Sequence, residues 1–209
     1  MSATSQQRRP NPAHDPQKIK LMGVTIAYAE SVTTARAFAA GQEPKFSGSF
    51  IAWGPKAADM SAAVDAASRA AAADKWGRDA KNWPRLRGIN KEPLVKAVAD
   101  YPTMMADPPA GAVFVRASSN EAPGFVDAQN VPLTATEARA MLYSGWVVNV
   151  ALRAFAYDQI GGQGIGLGLH NLQLVRPGKR LGPGRQAAQS EFGPVADEDL
   201  EGDDEEYPA

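Results

Sequence analysis

The chain has 209 residues, no cysteine, and 22 basic against 23 acidic side chains. That length fits one domain with tails, and the lack of cysteine excludes disulfides and thiolate metal sites and fits a reducing cytosol. No apolar run reaches the ~18 residues of a membrane span, and the start, "MSATSQQRRPNPAHDPQK", lacks the apolar stretch of a secretory signal.

The net charge of −1 hides a strong partition. Nine of the acids fall after Arg185, where there is no Lys or Arg. Residues 1–185 therefore hold 22 basic and 14 acidic side chains and carry +8, while the remainder carries −9. A basic body with an acidic tail is one pattern of a nucleic-acid binder. A solubilising tail on an ordinary domain gives the same count.

Residues 1–16 read as a disordered arm. "KIKLMGVTIAYAESV", from Lys18, is rich in β-branched and apolar residues and reads as a strand. "KFSGSFIAW" (45–53) reads as a second, with Phe46, Gly48 and Phe50 on one side and Lys45, Ser47 and Ser49 on the other. Residues 58–76 are alanine-dominated and predict a helix capped by Asp59 and ended by Gly77. Met60, Val64, Ala67 and Ala71 form its apolar stripe.

Residues 78–111 hold five prolines and are expected to be irregular. Within and just before them, residues 75–91 place Lys75, Arg78, Lys81, Arg85, Arg87 and Lys91 around Trp76 and Trp83, with Asp79 the single acid. Cations for phosphates and flat rings for bases are what a single strand requires. The same composition suits a solvated loop pinned to the core by its tryptophans. "GAVFVRASS" reads as a third strand, and Thr134 with Glu137 fits the capping box of a short helix. Within 143–158 the even positions from Trp146 to Ala156 are wholly apolar, while the odd ones mix Tyr143, Asn149, Arg153, Phe155 and Tyr157. This predicts a long strand with one core face and one mixed face.

Residues 161–168 contain five glycines, followed by Gly178-Lys179-Arg180. No start within the run satisfies G-x-G-x-x-G, and Gly-Lys-Arg fails the Walker pattern. The segment that follows reads as strand where a nucleotide loop needs a helix. Ile165, Leu167 and Leu169 alternate with Gly164, Gly166 and Gly168, and the parity flips near His170-Asn171. That predicts a hairpin at "DQIGGQ" and a β-bulge near 170–171. A bare glycine face marks close approach of something flat, or a tight bend. With His14 in the arm and His170 in a strand, no metal site or cofactor is expected. Asp127 and Asp158 could share a Mg²⁺, although loop carboxylates ordinarily cap turns.

The order of these motifs resembles the tailed-phage single-stranded-DNA-binding proteins, a family long filed as a domain of unknown function. The resemblance covers roughly residues 17–182. It rests on Lys45-Phe46, Ala117 to Pro123, Val126-Asp127, Tyr143 with Gly145, and Tyr157-Asp158. It continues through Gly164, Gly168-Leu169, Gln173, Val175-Arg176 and Gly178 to Leu181. It implies a mainly β, five-stranded OB-type barrel with the alanine-rich helix and a short second helix. It also implies binding of single-stranded DNA with little sequence preference, in replication or recombination within the host cytoplasm, and no enzymatic activity. Residues 17–182 would be the binding domain, and 183–209 a flexible linker and acidic tail. The tail would compete for the groove and recruit partners through Asp203, Asp204, Glu205, Glu206 and Tyr207. On this reading the stacking residues are Phe46, Trp76, Trp83, Tyr143 and Tyr157. The phosphate residues are Lys45, Arg78, Lys81, Arg85, Arg87, Arg153, Arg176, Lys179 and Arg180. The alternative is a phage accessory protein whose barrel docks another protein.

Overall fold

The computed structural model describes residues 15–181, apart from 38, 40, 160 and 161. The first strand, β1 (Lys18–Ala27), buries Ile19 and Leu21 and leaves Lys18, Lys20 and Met22 outside. Gly23, at φ +61°, sits in a register shift between Leu21 and Val24. Beyond it Val24 to Ala27 are buried on both sides of the strand. A single helical turn, α1 (Glu30–Thr33), leads towards β2 (Phe46–Ala52). The long helix α2 (Pro55–Trp76) follows.

Helix α2 begins a turn earlier than residue 58, and Asp59 does not cap it. Pro55 opens the helix because its missing N–H would have been unpaired there. Gly54 precedes it at φ +58°, and Gly77 ends it at φ +85°. The expected stripe of Met60, Val64, Ala67 and Ala71 is buried. It packs on β7 (Val147–Gln159) and β1.

The remaining elements are β3 (Lys96–Ala97), β4 (Val113–Ser119), β5 (Gly124–Val126), β6 (Pro132–Leu133), α3 (Ala135–Met141) and β8 (Gly162–Arg176). Neighbours run β4-β2-β1-β7-β8, all antiparallel. A parallel bridge between Ser118 and Gly168 joins β8 back to β4, so these five strands form a ring. They match the five strands expected from the sequence. The short β3 adds to β4, and β5 with β6 adds to β8. Inside the ring, Ile19, Phe50, Val115, Leu152, Ile165 and Leu172 are nearly sealed from solvent. Each such side chain contributes about 1.5–3 kcal/mol relative to exposure.

The β7–β8 ladder runs from Val147↔Arg176 to Gln159↔Gly162. Ala151 faces Asn171 and Leu152 faces Leu169, so His170 is the extra residue of the expected bulge. It restores an inward course to Leu172 and Leu174 after Leu169. Asp127 caps its turn, accepting from the N–H groups of Gln129 and Val131 at 2.9 and 2.8 Å.

A second, smaller core lies outside the ring. Ala27, Ile51 and Phe114 are covered there by Val98, Met104 and Ala112, with Tyr101 edge-on to Phe114 at 4.9 Å. The proline-rich segment is therefore clamped across the outer faces of β1, β2 and β4. Its irregular backbone includes 3₁₀ turns at Ala80–Asn82 and Val98–Asp100.

Candidate nucleic-acid interface

Strand β4 carries Phe114, Arg116 and Ser118 on its outward side, opposite Ile51, Ser49 and Ser47 of β2. Beyond the small outer core, this shared face opens into three adjoining depressions. The first lies among Arg87, Leu94, Lys96, Tyr101 and Arg116. The second, of about 210 Å³, lies among Tyr28, Ser31, Ser47, Ser49 and Arg116. The third, of about 980 Å³, lies among Tyr28, Ser31, Arg36, Arg139, Tyr143 and Arg180. Arg116 is common to the first two, and Tyr28 and Ser31 to the last two. One continuous band of cations, hydroxyls and rings results.

The proline-rich segment joins this band to the glycine strip. Arg87 bridges Gly164 along the backbone, accepting from Ile165 N–H at 2.9 Å. A Cβ on Gly164 would meet the Tyr157 hydroxyl at 2.7 Å and the Arg87 carbonyl at 3.0 Å. One on Gly166 would meet the Phe155 ring at 2.5 Å. The flat objects that the bare glycine face accommodates are the protein's own rings, Phe155 and Tyr157. Phe155 is 45% exposed, so a large apolar ring lies open on this shelf beside Tyr157.

Charge within the band is partly neutralised. Glu92 accepts from Lys96 at 2.6 Å and lies 3.4 Å from Arg87. The Lys96 hydrogen bond, then the Arg87 charge, hold its carboxyl below the ordinary range. The same hydrogen bond raises Lys96. Arg36 pairs with Glu30 at 2.6 Å. Arg180 stacks over Tyr143 at 4.0 Å, and the Tyr143 hydroxyl donates to the Gly178 carbonyl at 2.9 Å. Arg116 has neither an ion pair nor a side-chain hydrogen bond among the described residues.

The family model described as the single-stranded-DNA-binding protein of Enterobacter phage Enc34 matches residues 17–205. The chain belongs to that family. In fold, this family member is similar to the single-stranded DNA-binding protein from bacteriophage Enc34 in complex with ssDNA. The TM-score is 0.64 at 16% identity, over 79% of this chain and 90% of that one. A second structure of the single-stranded DNA-binding protein from bacteriophage Enc34 gives a TM-score of 0.62 at 16% identity, over 84% and 89%. Its C-terminal truncation gives 0.63 at 15%, over 79% and 88%. No curated protein matches in sequence.

The residues expected from the sequence distribute unevenly over this family member. Arg87 and Tyr157 meet at one end of the band, and Tyr143 and Arg180 line its other end. Arg78, Lys81 and Arg85 are exposed on the segment leading to Arg87. Lys45 is half-buried where its backbone bridges Arg36. Phe46 is half-buried on the inward pleat of β2, the side of Gly48 and Phe50, away from the band. Trp76 and Trp83 pack against the core, and Trp83 Nε1 donates to the Gly77 carbonyl at 2.7 Å. In this arrangement both hold the loop to the core and stay partly buried. Arg153 is outward on β7 but is held by Asp15 at 3.4 Å and Gln17 at 3.1 Å. Arg176, at the end of the ladder, and Lys179, beyond it, are exposed and lie outside the linings of the three depressions. Asp203 to Tyr207 lie outside the described residues.

Sequence reading passed over Tyr28, Arg36, Lys96, Tyr101, Arg116, Arg139 and the open ring of Phe155. Arg116 left a signal, a lone cation in the otherwise apolar and small "VFVRASS". Its neighbours Ser47 and Ser49 come from a strand on the other side of α2 in the sequence.

Proposed function

We propose that the chain is a sequence-independent single-stranded-DNA-binding protein acting in phage DNA replication or recombination, without enzymatic activity. The observation that carries this is the continuous band from Tyr157 through Arg87, Lys96 and Arg116 to Tyr28, Tyr143 and Arg180, in a member of a single-stranded-DNA-binding family. Guanidinium and ammonium groups neutralise phosphates, and ring faces accept any base, so such a band is indifferent to sequence.

The ring supports an OB-type reading of the binding domain, with proposed bounds of 17–182. Its strand order, its parallel closure between β4 and β8, and the placing of α3 between β4 and β7 fit that architecture. The segment after residue 182 is proposed to act as a linker and polyanion that competes for the band and recruits replication or recombination partners. Its charge of −9 against +8 for the body supports this.

Titration with an oligo-dT strand, followed by intrinsic fluorescence, tests the reading. Affinity should be high at about 50 mM salt and fall steeply by about 200 mM, with a log–log slope near −0.7 per phosphate contacted. Absence of binding at the lower salt would overturn it.

A further inference from the structure

We propose that the depression between β2 and β4 is a built seat for one phosphodiester of the bound strand, with the adjoining base resting on Tyr28. This deepens the single-strand reading and rests on it. The lining of the depression includes one guanidinium, three seryl hydroxyls and a tyrosine, and no carboxylate. That donor set suits an anion and offers nothing to a metal cation. Arg116 stands directly across the strand pair from Ser49. Its fork, exposed and unclaimed among the described residues, is free to take two oxygens of one phosphate.

Ser49 supplies an independent indication. The residue is 1% exposed, and its Oγ has no hydrogen-bond partner among the described residues. A buried hydroxyl left unpaired is costly, and groups of this kind call for a specific explanation. A phosphate oxygen held by Arg116 would give this hydroxyl its acceptor. Ser47, 5% exposed, lies on the same side two residues earlier. Tyr28 marks the mouth at φ +57°, a conformation that tyrosine rarely adopts. The turn is fixed by Ser31 N–H donating to the Tyr28 carbonyl at 3.0 Å and Ala29 N–H donating to Ser144 Oγ at 3.2 Å. The outcome is a ring 42% exposed beside the seat.

A polymer fits this place better than a free anion. On one side the depression shares Arg116 with the depression of Arg87 and Lys96. On the other it shares Tyr28 with that of Arg139 and Arg180. A chain can pass through with one phosphate in the seat and its neighbours on the flanking cations.

The test uses the full chain and an oligo-dT titration across a salt series. Arg116→Ala should weaken binding about tenfold and reduce the salt slope by about 0.7. Tyr28→Ala should weaken it by roughly tenfold with the slope unchanged. Ser49→Ala should weaken binding while raising the melting temperature, because the buried unpaired hydroxyl is removed; a purely structural serine would not separate the two. Arg69→Gln, on the exposed side of α2, should bind as the parent does. With a methylphosphonate strand, the parent and Arg116→Ala should bind alike. If the parent binds and Arg116→Ala keeps its affinity and slope, the seat is overturned while the single-strand reading stands. If the parent itself fails to bind, the reading falls too. Inorganic phosphate that inhibits through Arg116, with DNA affinity untouched by Arg116→Ala, would mark a free-anion site and also overturn the proposal.

Discussion

Glu92 sits where a strand phosphate would sit, between the Lys96 ammonium at 2.6 Å and the Arg87 guanidinium at 3.4 Å. In the free protein these partners hold it ionised below the ordinary carboxylate range. A bound phosphate would draw both cations away and add a negative charge nearby. Glu92 would then hold a proton more readily in the complex than in the free protein. On the proposed reading, binding would therefore be coupled to proton uptake, and affinity should rise as pH falls from neutral towards the ordinary carboxylate range. Glu92→Gln removes both the competition and the titration. It should tighten oligo-dT binding by roughly two- to fivefold at neutral pH and flatten the pH dependence. A variant that binds no tighter and keeps the parent's pH slope would show that Glu92 does not contend for this place. The residue scale thus holds a cation left open among the described residues, Arg116, and two whose availability a carboxylate sets.

At the scale of elements, α3 shows how local chemistry fixes a boundary. Thr134 accepts from Glu137 N–H at 3.2 Å, and Glu137 accepts from the Thr134 N–H at 2.8 Å. That backbone hydrogen bond, then the Thr134 hydroxyl, lowers the Glu137 carboxyl. A depressed folded-state value contributes stability that is present above the ordinary glutamate range and lost as pH falls through the lowered one. Thr134→Ala should cost about 1 kcal/mol in urea unfolding at neutral pH, and the cost should shrink in acid. An undiminished loss in acid would assign it to the bond from the Glu137 N–H to the Thr134 hydroxyl, which does not titrate, rather than to the carboxylate. This helix, the alternation of β7 and the His170 bulge were legible because each is written in neighbouring residues. The start of α2 was misread because Asp59 and Pro55 both mark helix beginnings, and only the structure ranks them. Trp76 and Trp83 were ambiguous for a different reason. A ring that pins a loop and a ring that stacks a base are the same residue among the same cations, and only their burial separates them. The band itself was illegible because β2, β4 and the 87–101 segment meet only through strand pairing and the small outer core.

For the whole molecule, the deciding quantity is the division of charge. Residues 1–185 carry +8 and the remainder −9, so on the proposed reading a tethered polyanion and a DNA strand would be rivals for the same cations. Tethering gives the tail an effective concentration that no free peptide in dilute solution reaches. Removing residues 186–209 should therefore tighten oligo-dT binding on the order of tenfold at about 50 mM salt. The gap should narrow as salt rises, since the Debye length falls from about 10 Å at 0.1 M to about 3 Å at 1 M. The source of the effect can be resolved by rearrangement. A tail with its residues in scrambled order keeps nine acids and should inhibit as the native one does, because competition for phosphate seats depends on charge. Recruitment of a partner, as proposed, would depend instead on the order of Asp203 to Tyr207 and should be lost on scrambling. Equal affinity of the full and shortened chains at low salt would remove the tail from the binding equilibrium. The +8 of the body would then act on DNA alone, and the acids would serve only solubility or partners.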